Sequence, residues 1–581
     1  MEKENFAPKV AKFSDMYLKY YHDIFVPNIM SEEENQQMQE IFKTPLPIVF
    51  RIAKDTPHFD DLCQQTEKHL ENLTSKGFKC EKKNSLPPEF GAVYQVDMTE
   101  SSFRRDESTT DFRNWLRNNI KMGYIRRQEL VSMIPHHFMQ VSQDDVILDM
   151  CASPGSKTSQ IVESLSQGNG LVIANDIDLK RCYTLLHQVQ EIGTSKVLVT
   201  CNSAQYLPDF GIKFDKILAD VPCSGDGTVR KDSNVASSWK PNNSTAMHGL
   251  QRAILKRGLE LLKVGGTLVY STCSMNPIED EAVIGSVLSE IPGCIEIVDT
   301  SSMFPTLKRH SGLTSWPVYT VSKDNPNEML RYELHSDVPD NLKGQVSKTM
   351  FPCGVEGLNN CMRFFPHYEN SGGFFVTVLK KLKEFDRISG DKPQKPVKEA
   401  PFIPLVKNFP ELWDEIKELY GLKDFPSDQL FARNESNAKN VYILCKPCSE
   451  LVSSIGCQKI NVVAGGVNIF TRKDDTIYPS ADGAIFITPH ATRQIIDVTP
   501  EDVKKLLEGG PSGSSNHDLS EKAQEKIKNS KQGGCLIQVP GTRFVYGGMI
   551  FKASMAVYVK KDIITLELQK LQIAYPELFS K

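Results

Sequence analysis

The chain has 581 residues, of which 40% are hydrophobic and 24% charged, and a net charge of −4. This length predicts two to four domains, and the composition is typical of a soluble globular protein. We find no apolar run of membrane-spanning length and no signal-peptide pattern. The weak negative charge means that any nucleic-acid surface must come from local basic clusters. The 14 cysteines have no framework spacing, which predicts free thiols in a reducing compartment.

Residues 1–44 are predicted to form a helical extension, because apolar side chains recur at helical spacing from Phe13 to Ile24 and Pro27 ends the pattern. Residues 45–125 mix strand-like runs such as 48–52 with an acidic helix-like stretch, which predicts a small α+β module. From position 104 the chain turns basic. Its cations are Arg104, Arg105, Arg113, Arg117, Lys121, Arg126 and Arg127. A solvated helix face and a phosphate-binding surface both remain possible interpretations.

Residues 126–385 alternate strand-like and helical segments, which predicts a Rossmann-like, doubly wound α/β sheet. The predicted strands are Val146–Asp149, Leu171–Asn175, Val197–Thr200, Lys216–Ala219 and Thr267–Ser271, and Leu250–Leu262 is a predicted helix. Phe374–Leu379 is expected to add one more strand to this sheet. The stretch from about 305 to 350 is expected to be an irregular polar excursion on the surface.

Residues 386–404 are expected to form a linker, and residues 405–581 a separate, mostly β domain. This last region contains a Cys-x-x-Cys pair, Cys445 and Cys448. With only Cys457 nearby, the pair lacks the second half of a zinc site, so we interpret it as two thiols of the β domain. No metal is expected in this chain.

Two further cysteines each follow a short apolar run that ends in a turn signal. Cys223 follows the strand predicted at 216–219, and Cys273 follows the strand predicted at 267–271. Ligands bind at the carboxyl ends of strands in an open α/β sheet, so both thiols are expected at a reactive edge. The arrangement suggests one nucleophile and one helper. Buried free thiols are the plainer alternative for either cysteine alone.

A small-residue turn, Cys151–Lys157, joins the first predicted strand to a helix start. Such a turn lets a ligand approach the backbone closely, and a helix N-terminus favours negative charge. Asp176 ends the next strand, where a carboxylate can accept ribose hydroxyls. The turn and Asp176 together indicate an adenosine-bearing cofactor, without saying which one. The absence of a Gly-x-Gly-x-x-Gly turn disfavours a nicotinamide dehydrogenase.

Four blocks of the sequence resemble the Nop/Sun family of RNA (cytosine-5) methyltransferases, which use S-adenosylmethionine. The blocks are QELVSMIP at 128–135, DMCASPGSKT at 149–158, DVPCSGDGT at 220–228 and YSTCSMNPIEDE at 270–281. They occur in the family's order and spacing, and the similarity extends to GGFFV at 372–376. The wider layout is similar to the eukaryotic branch that methylates tRNA at several cytosines. In that branch the large C-terminal domain is PUA-like.

The resemblance implies a catalytic and a cofactor-binding set of residues. Cys273 maps to the family's nucleophile and Cys223 to the cysteine that assists product release, with Asp220 and Lys157 as the other catalytic residues. The implied cofactor contacts are Cys151, Ala152, Ser153, Pro154, Gly155, Ser156, Lys157, Asp176, Ser203 and Asp220. Ser203 stands where the family usually has an aspartate, so a weaker contact with the cofactor is expected there.

The expected reaction is transfer of a methyl group to carbon 5 of cytosine in RNA, most plausibly tRNA, after a thiolate adds to carbon 6. The target base must leave its stack to reach the site. A DNA cytosine methyltransferase is one alternative. Those enzymes have a Pro-Cys nucleophile and lack the Thr-Cys-Ser thiol, so the presence of Cys273 argues against this alternative. An inactive RNA-binding scaffold is the other alternative, which the retention of both thiols, Asp220 and Lys157 disfavours. The family suggests a nuclear location, with the cytoplasm as a second location, and we expect a monomer.

Overall fold

A computed structural model describes residues 13–190, 192–392, 394, 399–434, 436–454, 460–473, 476–559 and 561–579. The chain separates into two compact units, one of residues 1–188 and 200–395 and the other of residues 189–199 and 396–581. In the described part of the chain, none of the helices is both long and apolar enough to cross a lipid bilayer. The first twelve residues of the predicted N-terminal extension, part of the predicted linker, and Cys457 lie outside the described residues.

The first unit begins with two helices and a small α+β module. Its elements are α1 Asp15–Phe25, α2 Glu32–Phe42, β1 Ile48–Ile52, α3 Phe59–Ser75, β2 Cys80–Lys82, β3 Ala92–Val96, α4 Glu100–Arg105, α5 Thr110–Lys121 and β4 Arg126–Arg127. The predicted N-terminal helix is confirmed: Ser14 caps α1 by accepting the N–H of Tyr17 at 3.2 Å. The module's sheet has the order β2-β3-β1-β4 and is antiparallel throughout.

The rest of the first unit is built around a larger sheet. Its elements are α6 Ile134–Met139, β5 Val146–Asp149, α7 Ser156–Ser164, β6 Leu171–Asp176, α8 Leu179–Gln190, β7 Val197–Cys201, β8 Phe214–Asp220, α9 Ser233–Ser238, α10 Pro241–Leu261, β9 Leu262–Thr272, α11 Glu281–Leu288, β10 Ile295–Ile297, β11 His310–Ser311, β12 Val318–Val321, β13 Met329–Tyr332, β14 Met362–Phe364, α12 Pro366–Glu369 and β15 Phe374–Lys381. All five strands predicted between 146 and 271 are present.

The core of this sheet is parallel and one edge is antiparallel. Strands follow the order β14-β15-β9-β8-β5-β6, in which β9, β8, β5 and β6 are parallel neighbours. The predicted strand at 374–379 is confirmed as part of β15, which runs antiparallel to β9. Ile147, Leu148, Ile173, Leu218 and Val269 are fully buried, which explains why these strands appear in the sequence as continuous apolar runs. The α/β fold class predicted from the sequence is therefore confirmed.

The stretch from 305 to 350 is more ordered than the sequence suggested. It contains a hairpin in which β12 pairs with β13, from Val318 opposite Tyr332 to Val321 opposite Met329. Trp316 is buried, and Tyr319 is buried with its ring 5.1 Å from that of Tyr20. The stretch is otherwise irregular and largely exposed, as predicted, and the hairpin was missed because a few aromatic and β-branched residues are enough to anchor a polar segment to the core.

The second unit contains two antiparallel-rich sheets with separate cores. Its elements are β16 Ile403–Pro404, α13 Leu405–Asn408, α14 Pro410–Tyr420, β17 Leu430–Ala432, β18 Asn440–Ile443, α15 Lys446–Ser453, β19 Val462–Gly465, β20 Val467–Lys473, β21 Thr476–Pro479, α16 Ala484–Ile487, β22 Ile495–Asp497, α17 Pro500–Gly509, β23 Ser514–Ser515, α18 Glu521–Lys528, β24 Gly533–Gln538, β25 Val545–Ile550, β26 Ser554–Val557 and α19 Lys561–Ala574. One sheet has the order β16-β17-β18-β20-β21 and the other β22-β24-β25-β26-β23. The region is mostly β, as predicted, but its strands form two sheets rather than one.

Candidate active site

The two cysteines singled out in the sequence lie side by side at the carboxyl edge of the larger sheet. Strands β8 and β9 are parallel, with Asp220 opposite Ser271, so both chains leave the sheet at the same level. Cys223 and Cys273 follow these strands, and their Sγ atoms are 3.2 Å apart. Both thiols are free and partly exposed. The strand register thus explains why residues 50 positions apart meet.

The hydrogen bond between these sulfurs distinguishes their chemical roles. It raises the pKa of the Cys223 thiol well above its ordinary value, and burial and the negative charges of Cys273 and Glu279 raise it further. The raised pKa favours the S–H form of Cys223, which can then donate to Cys273.

A partly buried ion pair lies near the sulfurs. Lys157 Nζ lies 2.8 Å from Asp220 Oδ2, and Ser271 Oγ donates to Asp220 Oδ1 at 2.8 Å. The Lys157 ammonium also lies 5.3 Å from the centre of the Phe374 ring. Burial alone would lower the pKa of Lys157, but the charges of Asp220 and Cys273 outweigh burial and raise it. Lys157 is therefore a permanently charged group next to the reactive sulfur.

The small-residue turn predicted to bind a cofactor joins β5 to α7. Gly155, the residue before α7, has φ of +110°, and a Cβ there would lie 3.0 Å from Leu185 Cδ1, so the position requires glycine. The turn lines a cavity of about 790 Å³. Of the predicted cofactor and catalytic residues, those that line it are Cys151, Ala152, Ser153, Pro154, Ser156, Lys157 and Asp220.

Asp149 is a site residue that the sequence analysis quoted in a block but gave no role. It lines the cavity, and its Oδ2 accepts the Thr158 hydroxyl at 2.8 Å. Its Oδ1 is buried and has no hydrogen-bond partner among the described residues. Burial raises the pKa of this carboxyl to about 7. An unpaired acceptor in a cavity that also contains Asp220 suits a ligand with a cationic group.

The other three predicted cofactor contacts, Gly155, Asp176 and Ser203, are not among the described residues that line the cavity. Asp176 accepts the N–H of Asp178 at 3.1 Å and binds Arg181 Nε at 3.2 Å. The Ser203 N–H donates to Gln394 Oε1 at 2.8 Å. Of the predicted catalytic residues, Lys157 and Asp220 line the cavity together with the turn, whereas Cys223 and Cys273 are not among the lining residues in the described part of the chain.

Asn175, which the sequence analysis passed over, fixes the turns at these strand ends. Its Nδ2 donates to Met150 O at 3.0 Å and to Asn202 O at 2.9 Å, and its Oδ1 accepts the Asn202 N–H at 3.0 Å. A single fully buried amide thus connects the turns after β5, β6 and β7.

Residues in and next to the N-terminal module also line the cavity. Lys43, Glu100, Arg127 and Glu129 are among its lining residues. Several cations of the predicted basic surface are paired with acids: Arg104 Nε lies 3.0 Å from Glu100, and Arg127 binds the same carboxylate. Arg117 and Lys121 remain exposed. Local ion pairing therefore weakens the basic character that the sequence suggested, and both interpretations of this surface remain open.

Two buried acids behind the cysteines were also missed. Asp226 and Glu279 are fully buried and bind the loops that carry Cys223 and Cys273. Both stand inside blocks that the sequence analysis quoted, but nothing in the local pattern shows that they meet.

Comparison with known proteins decides the family. Residues 136–380 match the family described as 16S rRNA methyltransferase RsmB/F, and residues 401–481 match the NSUN2 Pre-PUA domain. The chain is 34% identical over 523 residues to the multisite-specific tRNA:(cytosine-C(5))-methyltransferase of Schizosaccharomyces pombe, covering 76% of this chain and 75% of that one. This chain belongs to the RNA (cytosine-5) methyltransferase family.

Two other members of the family show similarity over comparable lengths. A tRNA (cytosine(34)-C(5))-methyltransferase of Drosophila melanogaster is 33% identical, with 81% of this chain and 72% of that one covered. A multisite-specific tRNA:(cytosine-C(5))-methyltransferase of Saccharomyces cerevisiae is 31% identical, with 86% and 79% covered. The resemblance inferred from the four blocks is confirmed, and the predicted PUA-like region begins with a Pre-PUA domain.

Proposed function

We propose that this RNA methyltransferase transfers the methyl group of S-adenosylmethionine to carbon 5 of cytosine in tRNA, through a covalent bond between Cys273 and the base. The observation that carries the proposal is the 3.2 Å contact between the Cys223 and Cys273 sulfurs beside the Lys157–Asp220 ion pair. The choice of tRNA follows the names of the similar proteins. On the same family grounds we propose a nuclear location.

Cys273 performs the first chemical step. Carbon 5 of cytosine is a poor nucleophile until a thiolate adds to carbon 6, which moves electron density onto carbon 5. Asp220 is held by Lys157 and Ser271 at the same strand end as the sulfurs, where it can hydrogen bond to the edge of the base. Lys157 balances the negative charge of Asp220 and of the attacking sulfur.

Cys223 acts in the release step. After carbon 5 has been methylated, its proton is removed by a base, the C5–C6 double bond re-forms, and Cys273 leaves as a thiolate. The S–H of Cys223, whose pKa is raised well above its ordinary value by its hydrogen bond to Cys273, stabilises that departing sulfur. The same hydrogen bond therefore assists both formation and departure of the thiolate.

The proposed cofactor residues are the turn from Cys151 to Lys157, together with Asp149, Asp176 and Ser203. S-adenosylmethionine supplies, when bound, a methyl group on a cationic sulfur. The cavity fits such a group at one place, since Asp149 offers a buried unpaired oxygen and Asp220 a second carboxylate. Asp176 remains the proposed ribose contact, because a carboxylate that accepts two hydrogen bonds has further acceptor sites.

The proposal is tested with an unmodified tRNA transcript and tritiated S-adenosylmethionine. Wild-type protein should form 5-methylcytosine, which bisulfite sequencing locates, and Cys273→Ala should lower the rate by about a thousandfold or more because carbon 6 cannot be attacked. Cys445→Ser is the matched control, as it removes a partly exposed thiol from the second unit. A Cys273→Ala variant with near wild-type activity would contradict the proposed nucleophile.

A further inference from the structure

Two buried carboxyl groups lie behind the loops that carry the reactive thiols. Asp226 and Glu279 have no solvent exposure. Between them lies the Ser274 hydroxyl, whose Oγ is 3.1 Å from Asp226 Oδ2 and 3.1 Å from Glu279 Oε1. Two carboxyl groups that share one hydroxyl in the protein interior require a specific arrangement of protons.

Glu279 connects the residues that follow the two cysteines. Its Oε2 accepts the Ser224 N–H at 2.8 Å and Gln251 Nε2 at 2.8 Å, and its Oε1 accepts the Ser224 hydroxyl. Through Ser274 it also binds the loop of Cys273. One side chain therefore holds both loops, and with them the spacing of the two sulfurs.

The hydrogen bonds of Ser274 require a proton on one of the carboxyl groups. A serine hydroxyl has one proton to donate and two lone pairs. Ser274 Oγ accepts the Asn276 N–H at 3.0 Å and can donate to only one of its two carboxyl neighbours. The remaining contact of 3.1 Å is favourable only if the second carboxyl group donates its own proton to Ser274 Oγ.

The donors around each acid indicate which one holds the proton. Glu279 accepts hydrogen bonds from Ser224, Gln251 and Ser274, which together fill its acceptor sites as expected for a carboxylate. Asp226 accepts the Met275 N–H at 2.7 Å on Oδ1 and the Tyr21 hydroxyl on Oδ2. Asp226 therefore has fewer donors and is the acid better satisfied when neutral.

We propose that Asp226 is a neutral carboxylic acid in the working enzyme and that the chain Asp226–Ser274–Glu279–Ser224 positions the sulfurs of Cys223 and Cys273. These are positioning residues, since they touch neither the base nor a cofactor. The inference deepens the proposed function and rests on it for its catalytic meaning. It also assigns a role to α1, whose Tyr21 closes the chain at one end.

The electrostatic surroundings of Asp226 favour its protonated, neutral form. Burial, followed by the charge of Glu279, raises the pKa of Asp226 to about 7. The titratable groups that face Asp226 are Tyr17, Tyr20 and Tyr21 of α1, the Cys223 thiol, and Glu279. Burial raises the pKa of all three tyrosines, so they stay neutral across the physiological range.

The test compares two isosteric substitutions, Asp226→Asn and Glu279→Gln. An asparagine amide reproduces the contacts of a neutral acid with Ser274 and Met275, because it can donate to the first and accept from the second, although its nitrogen no longer accepts the Tyr21 hydroxyl. We expect Asp226→Asn to retain at least about a third of wild-type kcat at pH 7. Glu279→Gln replaces an acceptor oxygen with a donor and should lower kcat by about a hundredfold, with the KM for tRNA changed less than threefold.

A measurement without RNA or cofactor separates this inference from the proposed function. The pKa of Asp226 is raised on folding. As the pH rises from about 4 to 7, the unfolded state therefore loses a proton that the folded state keeps, and the contribution of Asp226 to the free energy of unfolding of the wild type falls. The Asp226→Asn variant lacks this pH-dependent contribution, because asparagine does not titrate. The Tm of the variant minus that of wild type should therefore rise across this interval and then level off.

The possible results are decisive in either direction. Equal losses of activity in Asp226→Asn and Glu279→Gln, an Asp226→Asn protein that does not fold, or a Tm difference that is independent of pH would each overturn the neutral acid. Full activity in Glu279→Gln would overturn the positioning role. If wild type makes no 5-methylcytosine but the Tm difference follows the expected curve, the proposed function fails while the protonation of Asp226 stands.

Discussion

The sulfur–sulfur hydrogen bonds of Cys223 with Cys273 and of Cys445 with Cys448 have opposite consequences for the pKa of the thiol that they perturb. In the first pair, the bond to Cys273 raises the pKa of Cys223. In the second pair, the bond from Cys448 lowers the pKa of Cys445, assisted by the Cys448 N–H and the Lys196 charge against the effect of burial. Each pair thus contains one donor and one acceptor, and the surroundings determine which thiol becomes the acceptor.

The two pairs reach this state by different means. Cys445 is the residue before α15, so the N-terminus of a helix and a cysteine three positions later are supplied by local sequence. Cys223 and Cys273 instead depend on parallel strands and on Glu279, which binds the residue after each of them. A Cys-x-x-Cys motif can therefore be recognised in a sequence, whereas the second kind of pair appears only when the fold is known.

The largest expected effect concerns the donor of the first pair. Cys223→Ala should leave Cys273 able to attack carbon 6 but without the S–H that stabilises its departure. We expect multiple turnover to fall by about a thousandfold and a covalent protein–RNA adduct to accumulate with S-adenosylmethionine and tRNA. A denaturing gel measures the adduct as a shifted band.

Cys448→Ala is the matched control for this experiment, because it removes the corresponding donor of the second pair. It should form no adduct and leave turnover within about twofold of wild type. An adduct formed by Cys273→Ala, or the absence of one with Cys223→Ala, would reverse the roles assigned to the two catalytic cysteines.

A smaller effect is expected from the lysine beside each pair. Lys157→Met keeps an aliphatic stem near Phe374 but leaves Asp220 without its cation. We expect kcat to fall by about a hundredfold, the magnitude typical of removing one electrostatic contact from a catalytic site. Lys196→Met, next to Cys445, should leave kcat unchanged. Steady-state kinetics of both variants on the same tRNA provide the measurement, and equal losses would remove the distinction between the two pairs.

The sequence allowed the central fold to be predicted because its strands are short and continuously apolar. Val146–Asp149 was placed without error, and the other four predicted strands lie inside longer observed strands, since apolar runs do not mark where hydrogen bonding ends. The hairpin formed by β12 and β13 was missed. Its polar composition hid the few residues, such as Trp316, that anchor it.

The residues of the candidate site that belong to local sequence motifs could be predicted from the sequence. Cys223, Cys273, Asp220 and Lys157 were named from blocks of sequence, and the structure brings them together. The supporting contacts were not predictable in this way. Tyr21 and Asp226 are 205 positions apart, so no spacing rule connects them.

The smallest predicted effect tests the acceptor of the second pair. Cys448→Ala removes the hydrogen bond that contributes most to lowering the pKa of Cys445, so that pKa should rise and the thiolate fraction at pH 7.5 should fall. We expect alkylation of Cys445 by iodoacetamide to slow by about three- to tenfold, measured by mass spectrometry of the Cys445 peptide. Cys353, an exposed thiol, provides an internal control whose rate should not change. An unchanged alkylation rate of Cys445 would mean that the helix N-terminus and Lys196 are sufficient to stabilise its thiolate. The two pairs would then share a sulfur–sulfur contact, but not its effect on the pKa of a thiol.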